Sequence, residues 1–314
     1  MITQKNLRSV LSNAYGIQAL RIQTGSRIVS DFYSNILPPS EGDTEKDDKE
    51  KARVLDKLRK DYNTITEGIV RNIPTERNFI KNRMQTDLIA DYTRLLLIDQ
   101  YLELEQAEGR LFKRLEVMLD SFPVYNEFLA GVKGCGPAMS AVLLSYIDFS
   151  KAKYVSSIWR YLGLDVVTET ETLENGEITE VTRARGRRAS HLIDLTYTDR
   201  NGDEKTRKSL TYNPFVRSKV LGVLGTCFLR AKDSPYKVYY DNYKNRINTN
   251  HKYDNLTKAH KHRMAIRYMV QRFIKDLYVA GRTAGGFVVS PEYHEVYHGH
   301  VHGSPADARA NNLT

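Results

Sequence analysis

A chain of 314 residues can bury a substantial core, and its length fits one large domain or two modest ones. It carries 47 lysines and arginines against 38 acidic residues, a net charge of +9 and an isoelectric point near 9.3, which points to a polyanionic partner. No apolar run approaches the length of a membrane span and the start, MITQKNLRSV, lacks a signal-peptide core, so a cytoplasmic, nucleoid-associated protein is expected rather than a membrane one. Cys135 and Cys227 are too few for a disulfide framework and read as reduced thiols.

Residues 1–36 read as helix, with Leu7, Val10, Leu11, Ala14 and Ile17 on one face, although Gly16 and Gly25 weaken the pattern. Pro38-Pro39 stops it. The mixed-charge run Ser40–Lys51 reads as a solvated loop or helix start, and a second helix follows over Ala52–Val70. From Asp87 to Phe122 the helical signal is longest. Leu97, Tyr101, Leu104, Glu108, Leu111, Leu115, Met118 and Phe122 alternate four- and three-residue steps, a heptad seam with one polar member. That seam packs lengthwise on a helix of the same chain or, as a homodimer through Leu97, Tyr101, Leu104, Leu111, Leu115 and Met118, on a second copy. Asp87 and Asp91 share a helix face with Asp99 further along, but they read as ordinary helix charges, and no metal or cofactor is expected.

Phe128–Asp148 (FLAGVKGCGPAMSAVLLSYID) is the stretch around which the rest is arranged. An apolar helix end runs into a tight hairpin, Val132–Gly136, and a second apolar helix opens on Pro137, where a first turn tolerates a missing N–H. Glycine at 134 and 136 leaves main-chain N–H groups open to a ligand, and a helix N-terminus favours an anion. Lys133, Gly134, Cys135 and Gly136 are therefore candidate phosphate contacts, against the simpler reading of a turn between core helices.

Ser150–Leu164 reads as a short helix holding Trp159. Period-two alternation then marks a two-hairpin β-insert over about 165–212, with turns at Asn175-Gly176 and Asn201-Gly202. Between the hairpins, Arg183, Arg185, Arg187 and Arg188 crowd four guanidinium groups where no acidic run lies alongside, which favours nucleic-acid contact. Helix resumes over Pro214–Ala231, burying Val216, Val220, Leu221, Leu224 and Phe228 and turning Arg217 and Lys219 away. Lys237–Ile247 is a Tyr/Lys-rich helix. The last helix, Lys258–Gly281, has a core face of Ile266, Val270, Phe273 and Leu277 and a basic ridge of His260, Arg263 and Arg267. The tail from 289 reads as flexible, and its His294, His298, His300 and His302 as a polar tail rather than a metal site.

The order of motifs resembles the C-terminal half of the Piv-invertase-like DEDD transposases, mobile-element recombinases that cut and rejoin DNA with a guide RNA. The resemblance covers roughly Leu95–Val288. It rests on the long heptad helix, the G-x-G hairpin and its helix (Gly134–Leu144), Tyr-Leu-Gly-Leu (Tyr161–Leu164), Asn-Pro-x-x-Arg (Asn213–Arg217), Tyr-x-x-Tyr-Lys (Tyr240–Lys244) and the His/Arg/Ala/Arg helix (His262–Arg267). That family has an N-terminal RuvC-like domain with four metal-binding carboxylates on a sheet. Residues 1–94 here lack its alternating strands. The resemblance places the family's nucleophilic serine near the β-insert, where Ser190 (in GRRASHL) and Ser209 (in RKSLTYN) are the candidates.

The expected fold is mainly α: an N-terminal helical region (1–94), a coiled-coil-like helix leading into a helix-hairpin-helix, transposase-like domain (95–288) with its β-insert, and a tail (289–314). The expected function is nucleic-acid binding, DNA before structured RNA, by a transposase-derived protein without its own nuclease core. A serine recombinase with a partner's metal site and a phage or mobile-element assembly protein are the alternatives.

Overall fold

The computed structural model describes residues 2–35, 44–172 and 178–291. The chain is mainly helical with two small β-hairpins, in the expected order, and divides into two compact units: residues 9–115, and residues up to 8 together with those from 116 onward. The division falls inside a helix, at Leu115–Glu116, and not before it at residue 94.

The first unit is built from α1 (Gln4–Asn35), α2 (Thr44–Thr66), α3 (Glu76–Lys81) and α4 (Tyr92–Leu119), of which α1 and α4 continue into the other unit. Its core gathers Ile28, Leu58, Tyr62, Phe79, Ile89, Leu95, Ile98 and Leu102. Helix α1 runs straight through both glycines. At Gly25 a Cβ would lie 3.0 Å from the Tyr101 ring, so this glycine admits α4 to close packing.

Two members of the heptad seam, Tyr101 and Glu108, meet α1 of the same chain. Glu108, the seam's polar member, takes Arg21 at 2.5 Å and Gln18 at 2.8 Å, and Phe112 meets Tyr15 edge-on at 5.9 Å. The buried positions are Leu95, Ile98, Leu102, Leu115 and Leu119, while Leu97, Tyr101, Leu104, Leu111 and Met118 are half-buried. The physical reason is that α2 covers a second side of α4, through Arg59–Glu105 and the Tyr62–Asp99 hydrogen bond, so the apolar arc is wider than one seam. Asp99 accepts the Tyr62 hydroxyl at 2.5 Å and the Arg71 N–H at 2.7 Å, and burial together with that carboxylate pushes the tyrosine hydroxyl up from its ordinary value. Asp91 caps α4 through the Arg94 N–H at 2.9 Å, and Asp87 faces Lys57 at the surface.

The second unit contains α5 (Pro123–Glu127), α6 (Pro137–Tyr146), α7 (Val155–Tyr161), β1 (Val166–Thr172), β2 (Ile178–Ala184), β3 (Leu192–Thr198), β4 (Glu204–Leu210), α8 (Pro214–Ser218), α9 (Gly225–Arg230), α10 (Lys237–Thr249) and α11 (Lys258–Ala284). Helix α6 is buried from Met139 to Ser145, and Ile266, Val270, Phe273 and Leu277 of α11 turn inward as their spacing predicts. The first turn of α1 belongs here. Gln4 donates to the Leu144 and Ile147 carbonyls at 2.9 and 2.8 Å, and Arg8 to the Ser145 carbonyl at 2.6 and 2.8 Å, closing the C-terminal end of α6.

Between α8 and α9 the backbone stays helical but winds as a π-helix over Lys219–Leu224. The buried residues Val216, Val220, Leu224 and Phe228 recur every fourth position. On an α-helix each such step drifts by about 40°. The slower winding of the π turn takes up that drift and keeps the stripe against α11, where a Cβ on Gly225 would lie 2.7 Å from Ile266.

The insert is two separate antiparallel ribbons, β1–β2 and β3–β4. In the second, Asp199 Oδ1 accepts the N–H groups of Asn201 and Asp203, and Gly202 supplies φ +91°. The Asn175-Gly176 turn and the histidines at 294, 298, 300 and 302 lie outside the described residues.

Candidate nucleic-acid interface

The turn between α5 and α6 separates its glycines into two roles. Gly134 has φ +97°, and a Cβ there would sit 2.8 Å from Phe228 and 3.3 Å from the Cys227 carbonyl group, so its bareness serves close packing on α9. Gly136 is exposed, with nothing within 4 Å of its Cβ position. Its carbonyl takes the Met139 and Ser140 amides, while the N–H groups of Gly136 and Ala138 have no acceptor among the described residues. Lys133 is exposed beside them. Cys135 must be removed from the candidate contacts: its amide donates to the Val132 carbonyl at 3.0 Å, and its buried thiol faces Ser140, burial pushing it up to about 12.

The four arginines of the insert also divide. Strand β1 supplies the acids that the linear sequence does not set beside them. Glu169 and Glu171 share a face of the first ribbon with Arg183, which reaches both, forking onto Glu171. Arg185 donates its Nε–H to both carboxylate oxygens of Asp165, at 2.7 and 2.9 Å, with most of its side chain covered. Arg188 stands 3.7 Å from Glu169 but remains 57% exposed, and Arg187 is exposed without an acidic partner among the described residues. The expectation that nothing neutralises this cluster therefore fails for Arg183 and Arg185, and Arg187 with Arg188 is what the loop presents to solvent. The alternation of glutamates in Thr168–Thr172 was the readable signal.

Ser190 donates to Glu169 Oε1 at 2.7 Å, and buried His191 lies with Nε2 against the same carboxylate. The Gly186 N–H donates to His191 Nδ1 at 2.8 Å, so the ring proton sits on Nε2, toward Glu169. Ser190, then His191 and Arg188, hold the Glu169 carboxyl below its ordinary value. Glu169 thus holds Ser190, His191 and Arg188 around one carboxylate, an arrangement that ties the loop down. Ser209 is half-buried opposite Ile193 on β4, with no hydrogen-bond partner for its hydroxyl among the described residues.

Where the insert leaves the helical body, Arg217 stacks on Tyr212 at 4.5 Å, under the turn at Gly163. Arg267 donates to the Leu164 carbonyl at 2.9 and 2.8 Å and to that of Asp165, and burial, then the Arg217 charge, lowers its pKa. Arg267 thus leaves the basic ridge and becomes a cap on the turn after α7. His260 and Arg263 stay exposed on α11. Lys219 lies with Nζ 5.6 Å from the Phe215 ring, its pKa lowered by burial. Next to this region, α10 and α11 carry aromatic and basic residues whose role no linear spacing indicates. Tyr243 stacks on Tyr268 at 4.6 Å, and Arg246 lies over Tyr243 at 4.7 Å.

No family model, no curated protein and no solved structure matches the chain.

Proposed function

We propose that the protein binds nucleic acid, DNA in the first place, through the sugar-phosphate backbone, and that it is a transposase-derived protein working without a nuclease domain of its own. The observation that carries the reading is the start of α6: two exposed amides without acceptors among the described residues, the helix dipole behind them and Lys133 beside them. That is the chemistry of a helix-hairpin-helix phosphate grip. Arg187, Arg188 and Arg263 add exposed cations on the same unit, and His260 is exposed on the same helix as Arg263. Helices α1 to α3, with no strand among the described residues before 92, precede the part that carries the resemblance, where that family has its metal-binding sheet, and this supports the second half of the reading.

The test is Gly136→Val. At φ −74° and ψ 173° a β-branched residue is accommodated, with open space around it, and the cost is confined to a poorer N-cap, about 1 kcal/mol. The isopropyl group would stand between a phosphate and the amides. Affinity for unrelated duplexes should fall together while the melting temperature changes little. Unaltered affinity for every duplex would return the turn to a purely structural role.

A further inference from the structure

Five side chains of α7, α10 and α11, three rings and two guanidinium groups, lie in one chain of contacts. Arg246 lies 4.7 Å over Tyr243, and Tyr243 stacks on Tyr268 with centroids 4.6 Å apart and planes 23° from parallel. Arg272 follows at 5.3 Å from Tyr268 and 5.9 Å from Trp159. Such spacings are those of stacked planar groups. Toward the Trp159 end Arg272 is 7% exposed and Trp159 is half-buried. The other end is open. Arg246 is exposed, has no carboxylate partner among the described residues, and holds its guanidinium carbon 4.7 Å from the centre of the Tyr243 ring. Lys244, 5.2 Å over the Tyr240 ring and likewise without a carboxylate, adds a second cation on the same helix.

A guanidinium plane held flat by a tyrosine can take a second planar group on its outer face, with its N–H edge left for a phosphate or carbonyl oxygen. A paired base has both faces covered by its neighbours, whereas an unpaired base has a free one. We infer that the Arg246 end of this chain of contacts is a stacking site for one unpaired base of a single-stranded nucleic-acid segment. The inference rests on the nucleic-acid reading above and adds to it the kind of segment bound and the residues that take it. Net charge +9 opposes an acidic protein as ligand no more than it opposes nucleic acid, so an acidic peptide serves as one arm of the test.

The experiment compares wild type, Arg246→Lys and Arg246→Ala on a mixed-sequence single strand, the same strand with abasic sites, a duplex and a poly-glutamate peptide, at fixed salt. Lysine keeps the charge and loses the plane. Stacking predicts that Arg246→Lys weakens single-strand binding nearly as much as Arg246→Ala, between about five-fold and a hundred-fold, and that the abasic strand binds wild type as weakly. Duplex affinity should be nearly unchanged, and emission of Trp159, the single tryptophan, should be quenched by the intact strand more than by the abasic one. Full retention of single-strand affinity by Arg246→Lys, or equal binding of intact and abasic strands, would overturn the inference while leaving duplex binding through α6 standing. Preferential poly-glutamate binding abolished equally in both variants would overturn it in favour of an acidic protein ligand. Absence of binding to all nucleic acids by wild type would remove both readings together.

Discussion

At the scale of single residues, glycines two positions apart answer different demands. Gly134 holds a left-handed backbone against Phe228, and Gly136 holds an ordinary extended one in open space. Gly134→Ala should therefore destabilise the protein by about 2 kcal/mol or more, from backbone strain plus an approach of 2.8 Å to a buried ring. Thermal melting beside Gly136→Ala, which should shift little, checks it, and equal shifts would contradict the assignment. The glycine pair was visible in the sequence, but its division was not, because Phe228 lies far along the chain and only folding brings it under the turn. The same holds for Cys135, whose amide is consumed by a local turn that spacing does not reveal.

Among the elements, helices and ribbons were largely legible because their apolar periods are local. The two-hairpin insert, the inward face of α11 and the stripe of α8 and α9 all follow from such periods. What escaped was pairing between elements. The arginine loop looked unneutralised because its acids sit on β1, across a ladder, and at Asp165 just before it, and Arg267 looked exposed because the carbonyls it caps belong to the turn after α7. This changes what arginine removal should do. Replacing Arg187 and Arg188 by Ala should reduce the slope of log affinity against log salt on a duplex by about two, near 0.9 for each phosphate no longer neutralised, with stability unaffected. Replacing Arg183 and Arg185 should chiefly lower the melting temperature and leave the slope almost alone. Titrations at several salt concentrations separate the pairs, and an equal fall in slope from both would show that the internal ion pairs give way to phosphate.

For the whole molecule, the boundary expected before the long helix lies within it instead, since α4 serves two cores in succession and hydrophobic period alone does not mark where one core yields to the next. Two members of the heptad seam, Tyr101 and Glu108, meet α1 of the same chain, as does Phe112 next to it. The first turn of α1 belongs with residues from 116 onward, where Gln4 and Arg8 close the carbonyls of Leu144, Ser145 and Ile147. Arg8→Ala should cost about 1 kcal/mol, read as a lower denaturation midpoint with an unchanged m-value, and no change would mean that water replaces the guanidinium without penalty.

That stitch also sets an order in time. A ribosome releases Gln4 and Arg8 well before their acceptors on α6, so these two side chains must wait for them while the rest of α1 already has what it needs from α2 and α4. The early-made unit is thereby able to mature before the basic one closes. A nascent chain halted before α6 should resist protease over the α1–α4 body while its first eight residues are still clipped.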